Sequence, residues 1–125
     1  MKGFIAEPGW RSASAACIRW ATNDIGAGET VRWGVQLLIV ADDGAIDTAF
    51  GTAQYAEDDV GSAVLDRMCS ALTSAITAAG SPGGTGRTLY VQVFRDATHA
   101  NDDLTSDALF ESIELLFGIS ALSTS

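Results

Sequence analysis

The only histidine of the chain, His99, stands in the segment Asp96-Ala97-Thr98-His99-Ala100-Asn101-Asp102-Asp103. An aspartate three residues before a histidine could orient it as a general base. No serine occupies a nucleophile-elbow motif and no cysteine lies near it in sequence, so the group such a base would serve is missing. Asp96, Asp102 and Asp103 could gather a divalent cation, yet the segment lacks the glycine and terminal glutamate of a calcium loop. The Asp58-Asp59 and Asp102-Asp103 pairs already have a sufficient role as helix caps that complement helix dipoles. The glycine-rich stretch 80–88 departs from a phosphate loop at its first glycine, where Ser81 stands, and at its lysine, where Arg87 stands. It also leaves an expected helix and enters an expected strand, so it reads as a connector. Cys17 and Cys69 have no metal-ligand spacing and read as buried free thiols in a reducing cytoplasm. These features imply no cofactor, no metal and no catalytic residue.

The elements that would position these groups follow from periodicity. Ala16, Ile18 and Trp20 alternate with Cys17 and Arg19, as in a strand. Between residues 30 and 40, Val31, Trp33, Val35, Leu37 and Ile39 share one face, and Arg32, Gly34, Gln36, Leu38 and Val40 the other. Asp43-Gly44 predicts a hairpin turn into a third strand over residues 45–53. From residue 58 to 79 the period changes: Val60, Val64, Met68, Ala71, Ala75 and Ala79 form a helical stripe, stopped by Gly80 and Pro82. Its polar side, Ser70, Thr73, Ser74 and Thr77, is uncharged, as expected either of a face partly against another subunit or of a small-residue surface helix. Residues 88–95 read as a strand with Leu89, Val91 and Val93 on one face. Leu109, Phe110, Ile113, Leu116 and Phe117 then fit a second helix that ends near Gly118, followed by a short polar tail.

Segments 50–72 and 94–116 align at an offset of about 44 residues, pairing Phe50 with Phe94, Asp58-Asp59 with Asp102-Asp103 and Leu72 with Leu116. Two strand–helix units are implied. The expected fold class is α+β: a single two-layer domain over residues 1–125 with a largely antiparallel four- or five-stranded sheet, two helices on one face, and the order βββαβα. This order also resembles the opening of the ribonuclease H-like fold, whose acidic site fails here because residues 17–21 carry no acid.

Acidic residues number 16 against 7 basic ones, a net charge of -9, which excludes a globally basic nucleic-acid binder. Nine of the sixteen acids fall in or just before the two expected helices, whereas Arg19, Arg32 and Arg95 lie on strands. The open sheet face would then present Arg19, Arg32, Gln36, Tyr90 and Gln92, a set suited to a protein partner or to local RNA contact. No apolar run is long enough to span a membrane, and the N-terminus lacks the apolar core of a signal peptide.

The run Thr-Leu-Tyr-Val-Gln-Val-Phe-Arg from residue 88, its polar turn and Ser106-Asp107-Ala108-Leu109-Phe110 resemble the C-terminal strand and helix of small RNA-phage coat proteins. That resemblance implies a sheet whose open face meets RNA, dimers at least, and assembly into a shell. At the level of fold, the helix–strand–helix order is also similar to trimeric RidA-like deaminases, whose later strands have no counterpart after Gly118. The leading expectation is a non-enzymatic, self-assembling structural protein such as a viral or virus-like coat subunit, cytoplasmic or within a virion. Two alternatives are a small oligomeric enzyme with a subunit-interface site near Asp96 and His99, and an acidic binding or inhibitor protein.

Overall fold

Val31, Trp33, Val35 and Leu37 are buried at every second position and residues 37–40 on both faces, as in the central strand of a sheet, Thr30–Val40. The computed structural model describes residues 12–24, 28–61, 63–80 and 86–117. They form eight strands: β1 (Ser12–Thr22), β2 (Thr30–Val40), β3 (Gln54–Asp59), β4 (Met68–Cys69), β5 (Ile76–Thr77), β6 (Ala79–Gly80), β7 (Thr88–Arg95) and β8 (Ala108–Phe117). In the first sheet β1 is flanked by β4 and β5 on one side and by β8 on the other. In the second, β2 is flanked by β3 and β6 on one side and by β7 on the other. All pairings are antiparallel except β2 with β6.

The inner faces of β1 and β2 cover each other. Ala13, Ala16, Ile18 and Trp20 meet Val31, Trp33, Val35 and Leu37 in one core, with the two indoles edge to face at 6.1 Å. Burying each large side chain here contributes roughly 1.5–3 kcal/mol before the entropy of ordering is subtracted. The chain crosses between the sheets at residues 76–80, from β5 beside β1 to β6 beside β2. Gly80 makes that crossing: its φ is +95°, and a Cβ there would run into the Ile39 carbonyl.

The expected α+β fold is therefore replaced by two facing sheets, with no helix among the described residues. The expected helix over 58–79 fails because its hydroxyls serve another strand. Ser70 Oγ accepts the Ile18 N–H and Thr73 Oγ1 accepts the Ala16 N–H, both at 3.0 Å. They stand in for ladder carbonyls along β1, so Ser70 and Thr73 are buried while Val64, Leu65 and Leu72 are exposed. Leu65, at a φ of 61°, also interrupts any helical backbone. The expected second helix is β8. A bulge shifts its register between the Arg19–Ser112 and Trp20–Phe110 pairs, so its inward set runs Phe110, then Ile113, Leu115 and Phe117. The displaced residue puts two inward side chains three apart, which imitates a helical stripe.

The chain does reverse at Asp43-Gly44, where Asp43 has a φ of 65° and the Gly44 N–H bonds to the Ala41 carbonyl. The returning strand starts later than expected, at Gln54 rather than within 45–53. The Asp-Asp pairs cap no helix. Both lie beside the start of β2: Asp59 Oδ1 accepts from the Thr30 hydroxyl and Asp103 Oδ1 from the Thr30 N–H. The N-terminal segment 1–11, the glycine-rich residues 81–85 and the tail after Phe117 lie outside the described residues.

Candidate functional site

Sheet pairing assembles the outer face of the second sheet around a glycine. Gly34 on β2 stands between Tyr55 on β3 and Phe94 on β7. With no side chain at Gly34, the Phe94 ring lies down over the backbone, in space a Cβ would occupy. Tyr55 meets Phe94 edge to face at 5.9 Å. One step along β2, the Arg32 guanidinium sits 4.0 Å from the Tyr55 ring centroid, donates from Nη1 to Glu57 Oε2 at 2.9 Å, and donates from Nε to Asp96 Oδ2 at 3.0 Å. In the other direction Gln36 and Gln92 share a side-chain hydrogen bond, and Tyr90 is exposed beside them.

A second cluster anchors the β7–β8 connection to β2. Arg95 makes a two-pronged pair with Asp102, at 2.7 and 3.0 Å, and also donates to the Ser106 and Leu104 carbonyls. The Asp102 side chain has no exposed surface. Burial alone would push its carboxyl up, but the Arg95 fork and the Arg32 N–H at 3.0 Å hold it below the ordinary carboxylate range. The connection also ties Asn101 to Glu57 at 2.8 Å, and with the Arg32 bond this holds the Glu57 carboxyl low.

Four of the five residues expected to share a face do so: Arg32, Gln36, Tyr90 and Gln92 are on the outer side of the second sheet. Arg19 is not with them. It lies on the outer side of the first sheet, paired with Glu114 at 2.9 Å. The face is not cationic either, because Arg32 is bracketed by two carboxylates. The acids expected on helical faces instead lie at the end of β3, in the loops around residues 66, 102 and 107, and on β8. His99 and Asp96 do not form an oriented base. Asp96 bonds Arg32, while His99 Nδ1 accepts the Asn101 N–H at 3.0 Å inside the turn. No cluster of three metal-ligating side chains occurs among the described residues.

A different surface comes from the open sides of β7 and β8. Since β5 and β6 adjoin in sequence and join the two sheets on one flank, β7 and β8 share the opposite flank. Each pairs on one side only among the described residues. Val91 faces inward, opposite Leu37, yet it is 36% exposed. Phe110 faces inward, opposite Trp20, and packs 6.2 Å from Trp33, yet it is 47% exposed. Leu109 and Leu116 add to the exposed apolar surface of β8. Sequence reasoning missed Tyr55, Phe94 and this flank. Gly34 amid a strand was the available signal for the first, since such a glycine marks close approach by a neighbour.

Comparisons with known protein families, curated proteins and solved structures give no match. No helix among the described residues is long and apolar enough to cross a membrane.

Proposed function

We propose that this chain is a non-enzymatic structural subunit that associates with further copies of itself through the β7/β8 flank. The observation that carries the reading is the incomplete core there, where Val91 and Phe110 point inward and still meet solvent. Long apolar edge strands are pairing templates that proteins ordinarily cover. A two-fold partner meeting this flank would continue a sheet and cover both side chains in one contact. Charge does not oppose it. The two acids of β8 are compensated within the chain, Glu111 by Arg67 and Glu114 by Arg19, each at 2.9 Å. A viral or virus-like shell subunit is one specific form of this reading, and only the strand half of the resemblance, residues 88–95, keeps its expected conformation, since 108–117 form β8. The bracketing of Arg32 by Glu57 and Asp96 favours a protein partner over RNA for the outer face of the second sheet.

Native mass spectrometry and sedimentation velocity test this. The wild-type chain should run as a dimer or larger species. Val91→Lys should move it toward monomer with an unchanged far-ultraviolet spectrum, because a half-exposed lysine can lead its ammonium out to water. A wild-type monomer at high micromolar concentration overturns the proposal.

A further inference from the structure

Both cysteines lie on the outer face of the first sheet, away from the flank and from the Arg32 cluster. Cys17 is on β1, and its register neighbour two residues on, Arg19, pairs with Cys69 of β4. The two thiols are therefore diagonal neighbours across adjacent strands. Cys17 is half-buried, with its Sγ 3.5 Å from the Ser70 carbonyl, whereas Cys69 is exposed. The expectation of two buried free thiols thus gives way to one half-buried and one exposed thiol on adjacent strands.

We propose that Cys17 and Cys69 are a modification site that closes a reversible disulfide between β1 and β4. The oxidant is a small-molecule disulfide of the glutathione type. The Cys69 thiolate, which solvent reaches, attacks that disulfide, forms a mixed disulfide and releases one glutathione thiolate. The Cys17 thiolate then attacks the Cys69 sulfur and releases the second glutathione. The protein loses two hydrogens, and one glutathione disulfide becomes two thiols. The order follows from the surroundings. Burial and the adjacent Cys69 push the Cys17 thiol up, against a smaller pull from Arg19, so Cys17 suits the second, intramolecular step. Diagonal positions, typically about 7–8 Å apart, lie just beyond disulfide spacing, so closure needs backbone movement. β4, only two residues long and paired to β1 at two positions, can close the remaining gap by a small shift. The bond would close a loop containing β2 and β3, and such a loop loses freedom only in the unfolded chain.

The test incubates the reduced full-length chain with oxidised glutathione and follows mass and peptide maps without reductant. The expected product is monomer-mass protein lighter by two hydrogens, with the Cys17 and Cys69 peptides joined, a raised melting temperature, and full reversal by dithiothreitol. Cys17→Ser should instead accumulate a stable glutathione adduct at Cys69, and Cys69→Ser should react slowly or not at all. Wild-type protein that stops at a glutathione adduct on Cys69, or that links only between chains, overturns the proposal. Native mass of the cysteine variants separates this outcome from the flank, because neither cysteine lies on β7 or β8.

Discussion

The start of β2 and the β7/β8 flank lie in the same sandwich but are finished in opposite ways. At the start of β2, Arg32, Glu57, Asp96, Asn101, Arg95 and Asp102 satisfy one another, and the Asp102 side chain has no exposed surface. On the flank, the inward-facing Val91 and Phe110 remain in contact with solvent. A polar cluster closed within the chain fixes geometry, since each donor and acceptor specifies its partner. An apolar edge left open specifies little until something covers it. The contrast separates a region that stabilises the monomer from one suited to association, and substitutions can test the two independently.

Arg95→Ala should have the largest effect. It leaves the fully buried Asp102 side chain without its guanidinium partner and removes the donors to the Leu104 and Ser106 carbonyls. Removing one partner of a buried pair typically costs about 3–5 kcal/mol, readable as a fall in the denaturant midpoint. Asp102→Asn combined with Arg95→Met should recover part of that loss, because no buried charge then remains. Val91→Lys should do the reverse: change native mass while lowering the denaturation midpoint far less than Arg95→Ala does. If both substitutions altered stability alone, the division between the two regions would collapse.

Much of the strand content was legible. The alternation of Val31, Trp33, Val35 and Leu37 placed the core of β2, and Leu89, Val91 and Val93 placed the inner face of β7. Four of the five candidate face residues landed together for the same reason, since alternation assigns faces without knowledge of pairing. What failed was periodicity where side chains are small or a bulge intervenes. Alanine, serine and threonine between 70 and 79 carry little apolar contrast, and their hydroxyls can serve a neighbouring backbone as readily as a helix surface. In β8 the register shift at Glu111 moves the inward set by one residue, which no count of spacings reveals. Partnering is equally invisible: nothing in the spacing of Arg32, Glu57 and Asp96 indicates that they meet.

Two carboxyls beside the start of β2 should also respond to pH with opposite signs. Asp102 is held low, so its pairing stabilises the fold above the ordinary aspartate range and is lost as pH falls through its lowered value. Asp58 faces inward near the tryptophan pair and accepts the Trp20 indole N–H at 2.8 Å. Burial nonetheless pushes its carboxyl up, outweighing that hydrogen bond and the one from the Asp59 N–H. Its neutral form therefore favours folding below the unfolded value, and the benefit is lost as pH rises through the raised value. Asp58→Asn keeps an acceptor for Trp20 and should remove this alkaline-side loss, leaving the acid limb set by Asp102. Melting curves across the acidic range check it. An unchanged pH profile in Asp58→Asn would mean that the carboxylate is better solvated than its position implies.

Glu57→Gln should have the smallest effect and sharpen the contrast most finely. Glu57 is partly exposed, and its pair with Arg32 lies at the solvent side of the cluster, so its loss should cost about 0.2–1 kcal/mol. Glutamine can still accept from Asn101 and Arg32, which keeps the hydrogen bonds and removes only the charge. Arg32 then retains Asp96 as its carboxylate partner and Tyr55 as its aromatic support. If the cluster acts as one unit, Glu57→Gln and Asp96→Asn together should cost more than the sum of the two, because the second removal leaves Arg32 with no carboxylate partner. Strict additivity would instead describe two independent surface pairs, and the closed character assigned to this region would then rest on Arg95 and Asp102 alone.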